Sequence, residues 1–123
     1  MLSATFALAH GDADEGLARH KKIWTEKHDS QPAVALRSAG CIFKNPPGES
    51  AGRLLDQAGL KNARIGGATI SPKHANFIVA DDSATARNVI DLIALAKDRV
   101  WNASGVRLET EIEIWEEREN VNL

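Results

Sequence analysis

Residues 38–48 bring a thiol, an ammonium group and a carboxamide together within five residues. Cys41, Lys44 and Asn45 supply these groups, and a Pro-Pro-Gly turn follows directly. A turn of this kind fixes the direction of the backbone, so the side chains before it can be aimed at one ligand. The composition suits a site that holds an anion and delivers a proton beside it.

Cys41 is the only cysteine of the chain, and two interpretations of it stay open. A lone cysteine is most often a small buried hydrophobic residue. A thiol, which ordinarily titrates near pH 8.5, can also donate a proton to a carbanion or an enol at neutral pH. A nearby ammonium group such as that of Lys44 favours the thiolate.

Three carboxylates, Glu109, Glu111 and Glu113, share one face of the alternating segment 106–115. The simplest interpretation is a solvated acidic face of a half-buried strand. A strand can equally place an acid or a base on a rigid element beside a cleft. The spacing does not distinguish among the three residues.

Further cationic and amide donors are predicted to lie in loops, where functional residues are common. Scattered loop cations are also typical of an ordinary surface. The set comprises Lys44, Asn45, Arg64, Lys73 and His74. The pair Gly66-Gly67 could present backbone N–H groups to an anion, although the pair alone is a weak signal.

Composition excludes several classes of function. The net charge of −2 over 123 residues gives no basic face for a nucleic acid. No apolar run approaches the roughly 20 residues that span a bilayer. A single cysteine fits a cytoplasmic setting. His20 and His28 are too far apart for one zinc ion, and no glycine-rich dinucleotide motif, P-loop or nucleophile elbow occurs.

The elements that must position these residues mix helices and strands without βαβ alternation. We therefore expect an α+β fold, with a small mixed sheet packed against two longer helices and one short helix. One domain is expected over residues 1–123. The predicted strands are residues 2–9, 68–70, 75–80 and 106–115. The predicted helices are residues 13–27 (started by Asp12), 51–58 (between Ser50 and Gly59) and 84–101 (started by residues 81–83).

Motifs in order along nearly the whole chain resemble the C-terminal, substrate-binding domain of the UDP-N-acetylenolpyruvoylglucosamine reductase (MurB) family. The central motif is Ser-Ala-Gly-Cys-Ile-Phe-Lys-Asn-Pro at residues 38–46, preceded by Gln-Pro at 31–32. Arg-Ile-Gly-Gly-Ala at 64–68, Ser-Pro-Lys-His-Ala-Asn-Phe-Ile-Val at 71–79 and Leu-Glu-Thr-Glu-Ile at 108–112 follow it. The fold expected from this resemblance is that of the MurB C-terminal domain.

The resemblance implies an oxidoreductase of peptidoglycan precursor synthesis, UDP-N-acetylmuramate dehydrogenase, which uses FAD and NADPH. Its substrate is UDP-N-acetylglucosamine enolpyruvate, whose enol is protonated after hydride transfer. Cys41 stands where the family usually has the proton-donating serine, and Glu111 falls on the glutamate that assists at the enol carbon. Asn45 falls on the asparagine that helps to hold the diphosphate. The further substrate-binding residues implied are Lys44, Gln31, His74 and Lys73.

Two departures from the family pattern weaken the expected diphosphate site. Glu113 stands where many relatives have a basic residue, and Ser30 stands where a lysine often precedes Gln-Pro. The flavin domain of the family is expected to be absent from this chain. The isolated chain is therefore expected to bind no FAD and to lack reductase activity.

Three functions remain in consideration. The first is the substrate-binding and proton-donating domain of the reductase, with the flavin domain supplied elsewhere. The second is a non-catalytic module that binds a UDP-sugar, and the third is a small α+β interaction domain. Apolar surface left uncovered would favour a homo-oligomer. No nucleic-acid or membrane partner is expected.

Overall fold

The computed structural model describes residues 2–115 of the chain. The chain divides into two compact units, Met1–Gln31 and Pro32–Leu123, and each is described by itself. Two compact units can belong to one domain, so the single domain expected over residues 1–123 stays a prediction. Among residues 2–115, no helix is both long enough and apolar enough to cross a membrane.

The first unit contains one helix, α1, at Ala13–Ser30. Asp12 starts it as predicted, because its Oδ1 accepts the Glu15 N–H at 2.9 Å. The strand predicted at residues 2–9 is wrong, since this segment is exposed and has no regular secondary structure. Alternating apolar residues form a strand only beside a partner strand that completes the backbone hydrogen bonds.

The second unit begins its regular structure with the short helix α2, Ala51–Gln57. The Ser50 hydroxyl accepts the Arg53 N–H at 3.4 Å, which confirms the predicted start. Gly59 has a φ of 70°, and the Leu60 N–H donates to the Leu55 carbonyl at 3.1 Å. This is the predicted Schellman ending, and Leu55 and Leu60 are both buried in the core.

A three-stranded sheet follows, with β1 at Arg64–Ile65, β2 at Ala68–Ile70 and β3 at Ile78–Ala80, in the order β1-β2-β3. Both ladders are antiparallel, and β2 pairs with β3 in the register Ile70↔Ile78. The α+β prediction is confirmed. The pairings among the described residues are antiparallel throughout, whereas a mixed sheet was expected.

The long helix α3 spans Ala86–Ser104 and packs on the sheet and α2. Its N-cap is Thr85, which forms a capping box with Asn88. The predicted helix start at residue 84 is two residues early: the cap is Thr85 and not a residue of 81–83, and Asp81 instead accepts hydrogen bonds from Ser83. Leu92, Ile93, Ala96 and Val100 of α3 are buried.

Residues 106–115 do not form the continuous strand that the alternation predicted. One isolated antiparallel bridge, Phe43↔Thr110, joins them to the segment after Cys41. The alternation of burial is nevertheless present: Leu108 is buried, while Glu109 and Glu111 are exposed. One face of this segment therefore closes the core, and the other carries the carboxylates.

Candidate functional site

The segment Ile42 to Lys44 lies between two hydrogen-bonding neighbours. On one edge, the Ile42 carbonyl accepts the Glu111 N–H at 2.8 Å, and the Lys44 N–H donates to the Glu109 carbonyl at 2.9 Å. On its other edge, Asn76 accepts the Ile42 N–H through its carbonyl and bonds Phe43 through its side chain. The backbone between the candidate thiol and the candidate anion-binding residues is thereby fixed.

Cys41 is exposed at the start of this segment. Gly40 before it has a φ of 82°, and Cys41 itself forms an antiparallel bridge with Phe77. The turn at Gly40 requires the left-handed conformation that glycine adopts without steric cost. The interpretation of Cys41 as a small buried hydrophobic residue is therefore wrong, because solvent reaches this residue.

Glu111 is tied to the segment that carries the thiol, since its N–H donates to the residue after Cys41. The two other carboxylates have different neighbours: Glu109 pairs with Lys44 at 3.6 Å, and Glu113 accepts the Trp115 indole N–H at 3.5 Å. The backbone bond places Glu111 opposite Ile42, the residue after Cys41, and a position of its carboxylate beside the thiol stays a prediction. The catalytic roles of Glu111 and Cys41 stay predictions.

An apolar groove of about 320 Å³ adjoins these two residues. Ile42, which follows Cys41, and Ile112, which follows Glu111, both line it. The remaining lining residues are Arg37, Ser38, Ala39, Ile78, Ala80 and Val89. Aliphatic walls exclude water and strengthen electrostatic interactions beside them.

Asn45 accepts a hydrogen bond within the protein in addition to its predicted ligand-binding role. Its Oδ1 accepts the Ala51 N–H at 3.0 Å, at the start of α2. The carboxamide NH₂ group is the part of Asn45 that can donate to an anion. Asn45 and Lys44 line a shallow cleft of about 270 Å³ with Arg107 and Glu109.

A cationic cleft of about 250 Å³ surrounds the start of α2 and brings His74 and Lys73 together. Both were predicted to bind substrate. The other lining residues are Ser50, Gly52, Arg53, Asp56, Lys61 and Ala75. With Lys73, the lining side chains include three cations and one acid. Lys61 pairs with Asp56 at 2.7 Å and Arg53 pairs with Glu49. The excess of positive charge suits a phosphate-bearing ligand.

Two contacts hold the ring of His74 at the edge of the cationic cleft. Its ring packs edge-on against Phe77 with centroids 4.9 Å apart, and its Nδ1 accepts the Asn76 N–H at 3.2 Å. Burial lowers the pKa of His74, a backbone hydrogen bond opposes that shift, and the charge of Lys61 adds to it. A neutral ring with its proton on Nε2 fits this arrangement.

The Gly66-Gly67 pair has a structural role in a turn. It forms the two-residue turn between β1 and β2, where Gly66 has a φ of 54°. A Cβ at Gly66 would overlap Asn88, and one at Gly67 would overlap Ala84 and Asp81. Gly66 thus allows α3 to approach the β1-β2 turn, and Gly67 allows residues 81–84 to do so.

Two other predicted donors lie elsewhere. Arg64 donates to the Asp81 carboxylate at 2.6 Å and to the Gly66 carbonyl at 2.7 Å, which holds the β1-β2 turn. Gln31 ends α1 by donating its N–H to the Lys27 carbonyl at 2.9 Å. It belongs to the first unit, so its contact with substrate stays a prediction. Residues 2–115 contain no cluster of three metal-binding side chains.

Three residues of this region were not selected from the sequence. Arg53 and Lys61 contribute charge to the cationic cleft, and Asn76 is 3% exposed in the core. The sequence itself marks Asn76, because a single amide between Ala75 and Phe77 is unusual in an apolar run. Nothing local marks Arg53 or Lys61, since only the fold brings them beside His74.

Comparison with known proteins gives consistent matches. The model of the "UDP-N-acetylenolpyruvoylglucosamine reductase, C-terminal domain" family matches residues 31–115. The UDP-N-acetylenolpyruvoylglucosamine reductase of Chlamydia abortus is 46% identical over 114 residues, which are 93% of this chain and 37% of that protein. Reductase 2 of Symbiobacterium thermophilum is 55% identical over 78 residues, 63% of this chain and 25% of that protein.

A solved structure is also similar. The crystal structure of UDP-N-acetylenolpyruvylglucosamine reductase (MurB) from Thermus caldophilus matches with a TM-score of 0.66 at 43% identity, over 83% of this chain and 35% of that one. This chain thus spans little more than a third of the length of the first of these relatives. Sequence, family model and fold agree that the chain belongs to the UDP-N-acetylenolpyruvoylglucosamine reductase family, an oxidoreductase family, and corresponds to its C-terminal domain.

Proposed function

We propose that this chain is the substrate-binding and proton-donating part of a UDP-N-acetylmuramate dehydrogenase. Its substrate is UDP-N-acetylglucosamine enolpyruvate, and its reaction belongs to peptidoglycan precursor synthesis. The observation that carries the proposal is the hydrogen bond from Glu111 N–H to the Ile42 carbonyl, 2.8 Å long. It joins the segment of the candidate carboxylate to the segment of the candidate thiol.

Binding of the substrate is assigned to the charged surfaces of the second unit. The cationic cleft offers Lys73, Lys61 and Arg53 to a phosphate, and His74 is a neutral hydrogen-bonding group at its edge. Lys44 and Asn45 act beside the adjoining turn, where the NH₂ group of Asn45 donates to the diphosphate. Positive charge and amide donors are what phosphate oxygens require.

Proton delivery is assigned to Cys41. Its S–H bond breaks as a C–H bond forms at the enol carbon, and the thiolate then regains a proton from solvent. The thiol is a stronger acid than a serine hydroxyl, so the donation needs less driving force. Glu111 assists at the same carbon, and the apolar groove limits competing protonation by water.

The hydride that precedes this proton transfer belongs to the flavin chemistry of the family. We further propose that this chain alone binds neither FAD nor NADPH and has no reductase activity. A cytoplasmic location and a homo-oligomeric state are further proposals. A flavin absorbance band in the purified chain would contradict the first of these proposals.

The test is a chimera in which this chain replaces the matching part of the Thermus caldophilus reductase. We expect NADPH-dependent formation of UDP-N-acetylmuramate that is lost in Cys41→Ala and partly retained in Cys41→Ser. Calorimetry of the isolated chain with UDP-N-acetylmuramate is the companion measurement. Heat of binding without turnover in the chimera would favour the non-catalytic UDP-sugar module, and no heat would favour the interaction domain.

A further inference from the structure

Asn76 is a buried polar residue to which the proton-transfer account gives no role. It is 3% exposed and lies between two buried apolar residues, Ala75 and Phe77. Its Oδ1 accepts the Phe43 N–H at 2.9 Å, and its Nδ2 donates to the Phe43 carbonyl at 2.8 Å. The side chain therefore pairs with both backbone groups of Phe43, in the way that a neighbouring strand would.

The main chain of Asn76 adds two further bonds. Its carbonyl accepts the Ile42 N–H at 2.9 Å, and its N–H donates to His74 Nδ1 at 3.2 Å. One residue thus connects the wall of the cationic cleft to the two residues that follow Cys41. These are the same residues whose opposite edge holds the segment of Glu111.

We propose that Asn76 is a positioning residue that fixes the Cys41–Asn45 backbone, and with it the spacing between Cys41 and Glu111. The positioning role of Asn76 rests on the proton-donating function proposed above for Cys41. The structural part of the inference does not, because it concerns which backbone groups lose their partners when the amide is changed.

The physical basis is that the amide replaces a missing strand. Residues 42–44 have residues 109–111 on one edge, and on the other edge the Phe43 peptide groups bond to the Asn76 side chain. Loss of that side chain leaves a buried donor and a buried acceptor unsatisfied at Phe43, which is costly in a dry core. The local consequence is opening of this segment rather than of the whole unit.

Amide hydrogen exchange of the full chain tests the inference without any ligand. In Asn76→Ala, we expect the amides of Ile42, Phe43 and Lys44 to exchange at least about tenfold faster relative to those of α3. The matched control is Val100→Ala, which removes buried volume from α3 far along the sequence. It should speed exchange throughout the second unit without singling out residues 42–44.

Asn76→Asp gives a rescue that a simple loss of packing would not produce. A protonated carboxyl has one donor and one acceptor, so it can pair with Phe43 as the amide does, whereas the ionised form cannot donate. Burial raises the pKa of a carboxyl group introduced at this position. We expect fast exchange at residues 42–44 at neutral pH and a return towards the native rates on acidification, each compared with the native chain at the same pH.

Iodoacetamide alkylation of the sole cysteine gives the second readout. Under native conditions, the alkylation rate of Cys41 should change in Asn76→Ala and stay close to native in Val100→Ala. Uniform loss of protection in Asn76→Ala, no acid rescue in Asn76→Asp, or an unchanged alkylation rate would each overturn the inference. Absence of UDP-sugar binding would instead count against the proposed function and leave these results intact.

Discussion

The cationic cleft and the apolar groove belong to the same unit but offer opposite chemistry. The cleft is lined by Arg53, Lys61 and Lys73, whose charges attract a ligand and are screened by salt. The groove is lined mostly by aliphatic side chains such as Ile42 and Ile112. Under the proposed function, we expect the cleft to bind the charged end of the substrate and the groove to shield the reacting carbon.

The largest expected effect is the loss of kcat when the Cys41 thiol is removed. In the chimera described above, Cys41→Ala should lower kcat by about 10²–10⁴-fold, the usual contribution of a positioned acid, with KM changed much less. Steady-state kinetics measures both constants. Equal loss of kcat in a variant of a half-buried lysine outside the site, such as Lys97→Ala, would show that the effect does not come from proton donation.

A matched pair of substitutions tests whether the two surfaces divide binding from chemistry. Lys73→Ala should weaken binding of UDP-N-acetylmuramate about tenfold or more, since a charged hydrogen bond is lost, with an effect that shrinks as salt is added. Ile112→Ala should lower kcat in the chimera and leave affinity nearly unchanged. Loss of kcat in Lys73→Ala together with loss of affinity in Ile112→Ala would contradict this division between the two surfaces.

Gly52→Ala should affect the cleft more than the fold. A Cβ at this position would lie 3.0 Å from Cε1 of His74, so the ring must shift into the cleft. Alanine in α2 also gains helix propensity, by up to about 1 kcal/mol. We expect ligand affinity to fall in calorimetry while the unfolding free energy changes by less than about 1 kcal/mol in urea titration. Marked unfolding would mean that the ring cannot move.

The smallest expected effect is a pH dependence of stability from His74. Burial lowers its folded pKa below the unfolded value of 6.5, so the unfolded chain binds the proton first as the pH falls. Stability should therefore decline below about pH 6.5, until the folded ring is also protonated. The difference between native and His74→Gln urea midpoints across this range measures the effect, and parallel curves would contradict it.

Local signals in the sequence predicted the helices and their ends well. Ser50 and Gly59 bound α2 as expected, because caps act through bonds within a few residues. The strands predicted at residues 2–9 and 106–115 failed for one reason. Alternation indicates which side chains share a face, but a strand also needs a partner, and sequence periodicity does not supply one.

The sequence predicted which residues form the candidate site, but not the contacts between distant segments that bring them together. The types and order of Cys41, Lys44 and Asn45 were readable because they lie in one short motif. Which glutamate lies opposite the residue after the thiol depends on the pairing of residues 42–44 with 109–111, a contact between distant parts of the chain. The cationic cleft likewise needs α2 and the turn before β3 to meet, so Arg53 and Lys61 carried no local signal.

A crystal structure of this chain with UDP-N-acetylmuramate tests the central claim most directly. The account predicts the diphosphate in the cationic region and the lactyl carbons within about 3.5 Å of both Cys41 Sγ and a Glu111 carboxylate oxygen, the distance that reaction requires. A ligand bound with its lactyl group away from Cys41, or with Glu111 turned from it, would contradict the account.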